Sequence, residues 1–168
     1  MQYTAETIIR ELGLVPHPEE GGFFRETYRA EETITHTALP DVYDGHRHHS
    51  TAIYYLLTPE TFSHLHRLNS DEVFHFYMGD PCEMLQLHPD GRAETVVLGH
   101  DILAGQHPQV LVPKGVWQGM RLLPGGTYGL MGCTVAPGFE FVDYEHADRA
   151  ELLRQYPEAE ADIIRLTK

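Results

Sequence analysis

Cations are scarce in this chain of 168 residues. Lys and Arg number 12 against 25 Asp plus Glu, for a formal net charge of −13. A duplex-binding face needs clustered cations to displace phosphate counterions, so nucleic acid is not an expected partner, nor is an anionic membrane surface. Cysteine is scarcer still. Cys82 and Cys133 are isolated, with no CxxC, which argues against a disulfide framework and for a reducing compartment. No basic segment leads into an apolar core at the N-terminus, and no apolar run reaches membrane-spanning length, so the expected location is cytoplasmic. No phosphate-cradling glycine loop and no serine-centred nucleophile motif is present, so no nucleotide cofactor is expected.

What remains is an ordinary globular composition, 42% hydrophobic and 22% charged, on a length that suits one domain over residues 1–168. Thr4 is an N-cap candidate ahead of Ile8, Ile9 and Leu12, and Gly13 is the stop, giving a helix over about 4–13. Residues 16–22 read as a turn-rich connector. Residues 23–28 read as a strand with Arg25 and Thr27 on one face and Glu26 and Tyr28 on the other. Placed beyond a Pro/Gly connector, that strand is expected to meet a second copy and make a homodimer. Residues 35–49 read as a solvated loop, and its cluster His46-Arg47-His48-His49 is discounted as a metal site because a loop does not fix ligand geometry.

From residue 50 to residue 135 apolar runs alternate with turn signals at Pro59-Glu60, Asn69-Ser70-Asp71, Pro89-Asp90-Gly91, Pro113-Lys114-Gly115 and Pro124-Gly125-Gly126. At least eight short strands at this spacing predict a β-sandwich or barrel over about 22–143. A helical tail over about 147–166, broken at Pro157, follows. The chemistry concentrates in residues 61–79. His64 and His66 lie two apart on a strand, so they are expected to share a face with Phe62 and Leu68. The turn at 69–71 is expected to fold the chain into a hairpin that brings Glu72 beside them, with Phe74, Phe76 and Met78 on the same inner face. His75, Tyr77, Trp117 and Arg121 then point outward. Two imidazoles and a carboxylate on one rigid face can hold Fe(II), Mn(II), Zn(II) or Ni(II).

This stretch resembles the first cupin motif, G-(x5)-H-x-H-(x3–4)-E-(x6)-G, with His64, His66, Glu72 and Gly79 on its positions and Thr58 in place of the opening glycine. Pro113-Lys114-Gly115-Val116-Trp117-Gln118 resembles the centre of the second motif. There Gln118 stands where the family has a histidine, and Leu122 stands where it has an asparagine. Across nearly the whole chain, segments such as Pro16–Tyr28, Val112–Gln118 and Val135–Phe141 look like the fifth cupin family, long catalogued as a domain of unknown function.

The resemblance implies an all-β, cupin-type jelly-roll barrel (a double-stranded β-helix) with flanking helices and a small-molecule site inside it. The implied metal set is His64, His66, Glu72 and Gln118, with a divalent transition metal as the cofactor. His66 and Glu72 are the catalytic candidates, and Gln118, Phe74 and Met120 are the ligand-binding candidates. The implied function is an enzyme on a small polar metabolite, a metal-assisted oxygenase, isomerase or lyase. The alternatives are a metal-free acid–base enzyme like some sugar epimerases of this fold, or a non-catalytic small-molecule binding protein.

Overall fold

Glycine and proline interrupt runs of β-branched and aromatic residues along this chain, and thirteen strands result among the described residues. The computed structural model describes residues 3–168. The strands are β1 (Val15–Pro16), β2 (Phe23–Arg29), β3 (Thr33–Ile34), β4 (Arg47–His48), β5 (Thr51–Leu57), β6 (Phe62–Leu68) and β7 (Asp71–Gly79). They continue as β8 (Cys82–Leu87), β9 (Ala93–Leu98), β10 (Gln109–Val112), β11 (Trp117–Leu122), β12 (Gly129–Ala136) and β13 (Tyr144–His146). Three short helices flank them: α1 (Ala5–Leu12), α2 (Arg149–Gln155) and α3 (Glu160–Arg165). No helix among the described residues is long and apolar enough to cross a membrane.

Two antiparallel sheets face one another in a jelly-roll barrel. One has the order β1-β2-β5-β12-β7-β10 and the other β13-β6-β11-β8-β9. Their inner faces meet in a core that includes Tyr55, Phe74, Phe76, Met84, Met120, Met131 and Cys133. Outside the second sheet, α2 and α3 cover Leu65, Leu85, Leu87 and Trp117 with Leu152, Tyr156 and Ile163. Outside the first, α1 sets Ile8 against Leu56, Tyr128 and Leu130. Thr4 accepts a hydrogen bond from the Thr7 N–H at the start of α1, and Gly13 closes it in the left-handed conformation at φ 61°.

Three expectations from alternation fail, each for a backbone reason. First, β6 and β7 do not pair. They lie in opposite sheets, so the turn at residues 69–71 crosses the sandwich and does not close a ladder. Glu72 therefore faces the histidine strand across the barrel. Second, β6 carries a bulge. Gln118 pairs with His66 and Met120 with Ser63, so one residue of β11 stands opposite two of β6. Ser63 and His66 face inward, Leu65 faces the outer core, and Phe62 packs on that outer core too. Gly119 lies opposite the bulge. A Cβ there would meet Leu65 Cγ at 3.0 Å and Ser63 O at 3.1 Å. Third, β7 bulges at Tyr77: Met131 pairs with Phe76 but Leu130 with Met78. Met78 thereby packs beside α1, outside the barrel.

The stretch over residues 35–49 is also not a free, solvated loop. Arg47 is buried, donates from Nε and Nη2 to both oxygens of Asp143 at 2.7 and 2.8 Å, and reaches Asp44 at 2.8 Å. Its guanidinium lies 5.2 Å from the Tyr43 ring centroid. Asp143 also accepts from Asn69 Nδ2. This network ties the β6–β7 turn to the start of β13.

Candidate functional site

The barrel mouth holds a small cavity lined from both sheets. His66 and Glu72 line it, as expected from the sequence. Their neighbours come from places that alternation does not reveal. The connector between β1 and β2 supplies His17 and Glu20, β13 supplies Tyr144, and β12 supplies Cys133. Gly21 and Gly22 take positive φ, 93° and 70°, and so turn the connector inward at Glu20. A Cβ on Gly21 would collide with the Phe62 carbonyl oxygen. The Tyr55 hydroxyl donates to Gly21 O at 2.7 Å and holds the turn in place.

Hydrogen bonds fix the tautomers of the two cavity imidazoles. His66 Nδ1 lies 2.7 Å from the His64 carbonyl oxygen, which can only accept. Nδ1 therefore carries the hydrogen, and neutral His66 turns a lone pair on Nε2 into the cavity. His17 is the reverse. Its Nδ1 accepts from the Glu20 N–H at 2.9 Å, so its Nε2 carries the hydrogen. Burial lowers the His17 pKa, against the pull of Glu20. Both Nε2 atoms stand 3.8 Å from Glu20 Oε2. Ser63 Oγ donates to the other oxygen of Glu20 at 2.7 Å. Tyr144 stacks on His66 with ring centroids 4.9 Å apart and planes at 19°, which fixes the imidazole plane.

Glu72 sits opposite, almost wholly buried. Burial pushes its carboxyl up to about 8, and the nearby Glu20 charge adds to the rise. Gln118 Nε2 donates to Glu72 Oε2 at 2.5 Å, and the Cys133 thiol is a second partner; both oppose the rise. Glu72 is thus protonated at neutral pH. Burial, with Glu72 next to it, also holds the Cys133 thiol far above its usual range, so Cys133 is no nucleophile.

Several sequence-picked residues lie elsewhere. His64, the extra residue of the β6 bulge, packs 4.3 Å from Phe62 and 5.4 Å from His146, centroid to centroid. Burial first, then the Lys168 and His146 charges, lower its pKa to about 4. Its Nδ1 is buried with no hydrogen-bond partner. Phe74 and Met120 are packed in the barrel core and do not line the cavity. His75 points outward, with its ring nitrogens against Thr134 Oγ1 and Gln109 Nε2. Trp117 lies in the outer core with Arg67 stacked 4.4 Å over it.

This donor set does not fit the expected metal. His66 and Glu72 line the cavity but His64 and Gln118 do not, and Gln118 turns its amide nitrogen, not its oxygen, toward Glu72. Among the described residues no group of three His, Cys, Asp or Glu side chains stands close enough to hold an ion.

Two facing antiparallel sheets with a buried histidine and a buried carboxyl at the mouth define a cupin-type barrel with a cavity at its mouth. The family model described as "Cupin superfamily (DUF985)" matches residues 6–147, and the chain belongs to that family. It is similar to the crystal structure of protein SO0799 from Shewanella oneidensis, at 36% identity and a TM-score of 0.87 over 99% of both chains. It is also similar to a hypothetical protein from Leishmania major, at 35% identity and a TM-score of 0.85 over 98% of this chain and 99% of that one. An uncharacterized protein of Saccharomyces cerevisiae, YML079W, is 29% identical over 94% of this chain and 83% of its own length.

The pKa of Glu72 has a measurable consequence. An acid whose folded pKa lies above its unfolded value holds its proton more tightly when folded. Its contribution to stability is largest at low pH and is lost as pH rises from about 4.5 to about 8. Glu72→Gln removes this titration. Its Tm relative to wild type should therefore rise between about pH 5 and pH 9, by roughly 3 °C or more, equivalent to about 1 kcal/mol in a chain of this size. A Tm difference that does not change with pH contradicts the assignment.

Proposed function

We propose that this protein is a metal-free acid–base enzyme that isomerises or epimerises a small polar carbonyl metabolite in the barrel mouth. The observation that carries this reading is the opposed pair on one cavity: an imidazole lone pair at His66 Nε2 and a neutral carboxyl at Glu72. His66 removes a proton from carbon next to the substrate carbonyl while Glu72 donates its proton to the carbonyl oxygen, giving an enol or enediol. The His66 imidazolium then returns a proton to carbon as Glu72 takes one back from an enol hydroxyl, which completes a redox-neutral isomerisation with both groups in their starting states. Glu20 lies close enough to stabilise the imidazolium formed on the way. Both reacting groups sit on strands of the rigid sheets, so their separation does not depend on a mobile loop. A simple binding pocket has no need of a base and a neutral acid turned toward each other, which favours catalysis over passive binding.

The test is solvent exchange. Small ketoses, aldoses and 2-keto acids are incubated with untagged protein in D2O, and NMR reads deuterium at the carbon beside the carbonyl. At least one class should exchange, unaffected by EDTA. His66→Ala and Glu72→Gln should each slow it roughly 10²–10⁴-fold. Exchange absent from every class, or unchanged in His66→Ala, contradicts the reading. Loss on chelation and return with Fe, Mn, Zn or Ni would instead support the metal-assisted reading built on His64, His66, Glu72 and Gln118.

The same reading holds that the protein works as a homodimer. β1 covers only Phe23 and Phe24 of β2, which leaves the edge from Arg25 to Arg29 without a strand partner among the described residues. Tyr28 on that edge, and Tyr77 and Leu111 on the same sheet, are about half exposed. An open edge is a template for a second copy. Sedimentation at micromolar concentration should give a dimer; a clean monomer contradicts it.

A further inference from the structure

The cavity that holds His66 and Glu72 has a charge pattern that speaks to its ligand. Besides Glu72, its lining contains three carboxylates, Glu20, Glu26 and Glu140, against one guanidinium, Arg29. That guanidinium is already fully engaged. Arg29 Nε and Nη2 donate to both oxygens of Glu26 at 3.0 and 2.9 Å. Its Nη1 donates to Glu140 Oε1 at 2.7 Å, and Nη2 also reaches the Phe139 carbonyl at 3.1 Å. Among the described residues no other Lys or Arg lines the cavity to receive a phosphate or carboxylate.

Glu20 is a different case. It is 9% exposed, and its Oε1 is satisfied by Ser63. Its Oε2 receives no hydrogen bond among the described residues. The Tyr55 hydroxyl, also near Glu20, donates its one hydrogen to Gly21 O, and the His17 and His66 Nε2 atoms are 3.8 Å away. A largely buried carboxylate whose second oxygen has two imidazole nitrogens 3.8 Å away and no cation beside it is short of counter-charge. The remaining walls are aromatic. Phe24, Phe139, Phe141 and Tyr144 line the same cavity, with Phe139 and Phe141 edge to face at 5.1 Å and His17 tilted on Phe24 at 4.5 Å. Ring faces together with an unpaired carboxylate are the surroundings that select an organic ammonium. The low-dielectric walls focus this negative field inward.

We infer that the cavity takes a small organic cation, an amine-bearing metabolite such as an amino sugar, whose ammonium group pairs with Glu20 Oε2 between the aromatic walls. This rests on the proposed function only in sharing its cavity. An anionic ligand such as a sugar phosphate would meet three carboxylates and find Arg29 taken. A charge-assisted hydrogen bond in a buried setting separates a cation from its neutral analogue by roughly tenfold to a hundredfold.

The experiment is an NMR titration of wild-type protein with a matched trio of hexoses: glucosamine, glucose and glucose 6-phosphate. Ethanolamine and choline extend the cation series. The expected result is that glucosamine binds at least about tenfold more tightly than glucose, and that glucose 6-phosphate does not bind. Glu20→Gln should erase the preference for the amine. Glu26→Gln with Glu140→Gln, which frees Arg29, should bring glucose 6-phosphate into the cavity. The titration reads binding without turnover, so failure of the catalytic reading is told apart from failure of this one. The inference is overturned if the phosphate binds wild type as well as the amine does, if Glu20→Gln leaves the preference intact, or if no amine binds at millimolar concentration.

Discussion

A carboxyl group inside an apolar barrel must keep its proton or find a positive partner, because an unpaired buried charge costs too much. Glu72 is under that constraint, and the site is arranged around it. The cations of the barrel mouth are engaged elsewhere: Arg29 with Glu26 and Glu140, Arg47 with Asp143 and Asp44. What reaches Glu72 is an amide, a thiol and the field of another carboxylate. The proton therefore stays, and an acid stands opposite a base whose free nitrogen is fixed by a backbone carbonyl. Tyr144 stacking and the His64 carbonyl orient that base, as outer partners orient a ligating or catalytic imidazole elsewhere. Tyr144 directly follows Asp143, which Arg47 holds by two hydrogen bonds at the start of β13.

Replacement of the histidine of the second cupin motif by Gln118 takes on meaning in this setting. An imidazole at that position would offer a metal ligand. An amide cannot rival it for a transition metal, and here its nitrogen hydrogen-bonds Glu72. The β6 bulge acts in the same direction, since His64 falls at it and does not line the cavity with His66. Two independent features, one a side chain and one a backbone irregularity, thus separate the donors that the motif would gather.

Strand positions were legible because apolar runs, turn glycines and prolines mark them directly. The helix capped by Thr4 and Gly13 was legible for the same reason. The facing of side chains was legible only where the ladders are regular. His64-Leu65-His66 reads as two histidines on one cavity by alternation, and the one extra residue of the bulge, beyond which only His66 lines it, leaves no mark in the period. Its trace lies in another strand, at Gly119, where no side chain fits. Tyr77 hid the outward turn of Met78 in the same way. His17 and Glu20 were missed because connectors have no period to read. The sign was Glu20-Gly21-Gly22, a carboxylate followed by two glycines able to turn the backbone into a protein interior.

The central claim is that Glu72 is a neutral carboxylic acid at physiological pH, on the same cavity as the free nitrogen of His66. Difference infrared spectroscopy of wild type against Glu72→Gln, recorded across pH, observes it directly. The account predicts a protonated-carboxyl carbonyl band at neutral pH that is absent from the variant and converts to carboxylate with a midpoint near about 8. Carboxylate bands for Glu72 already dominant at pH 6 would contradict it.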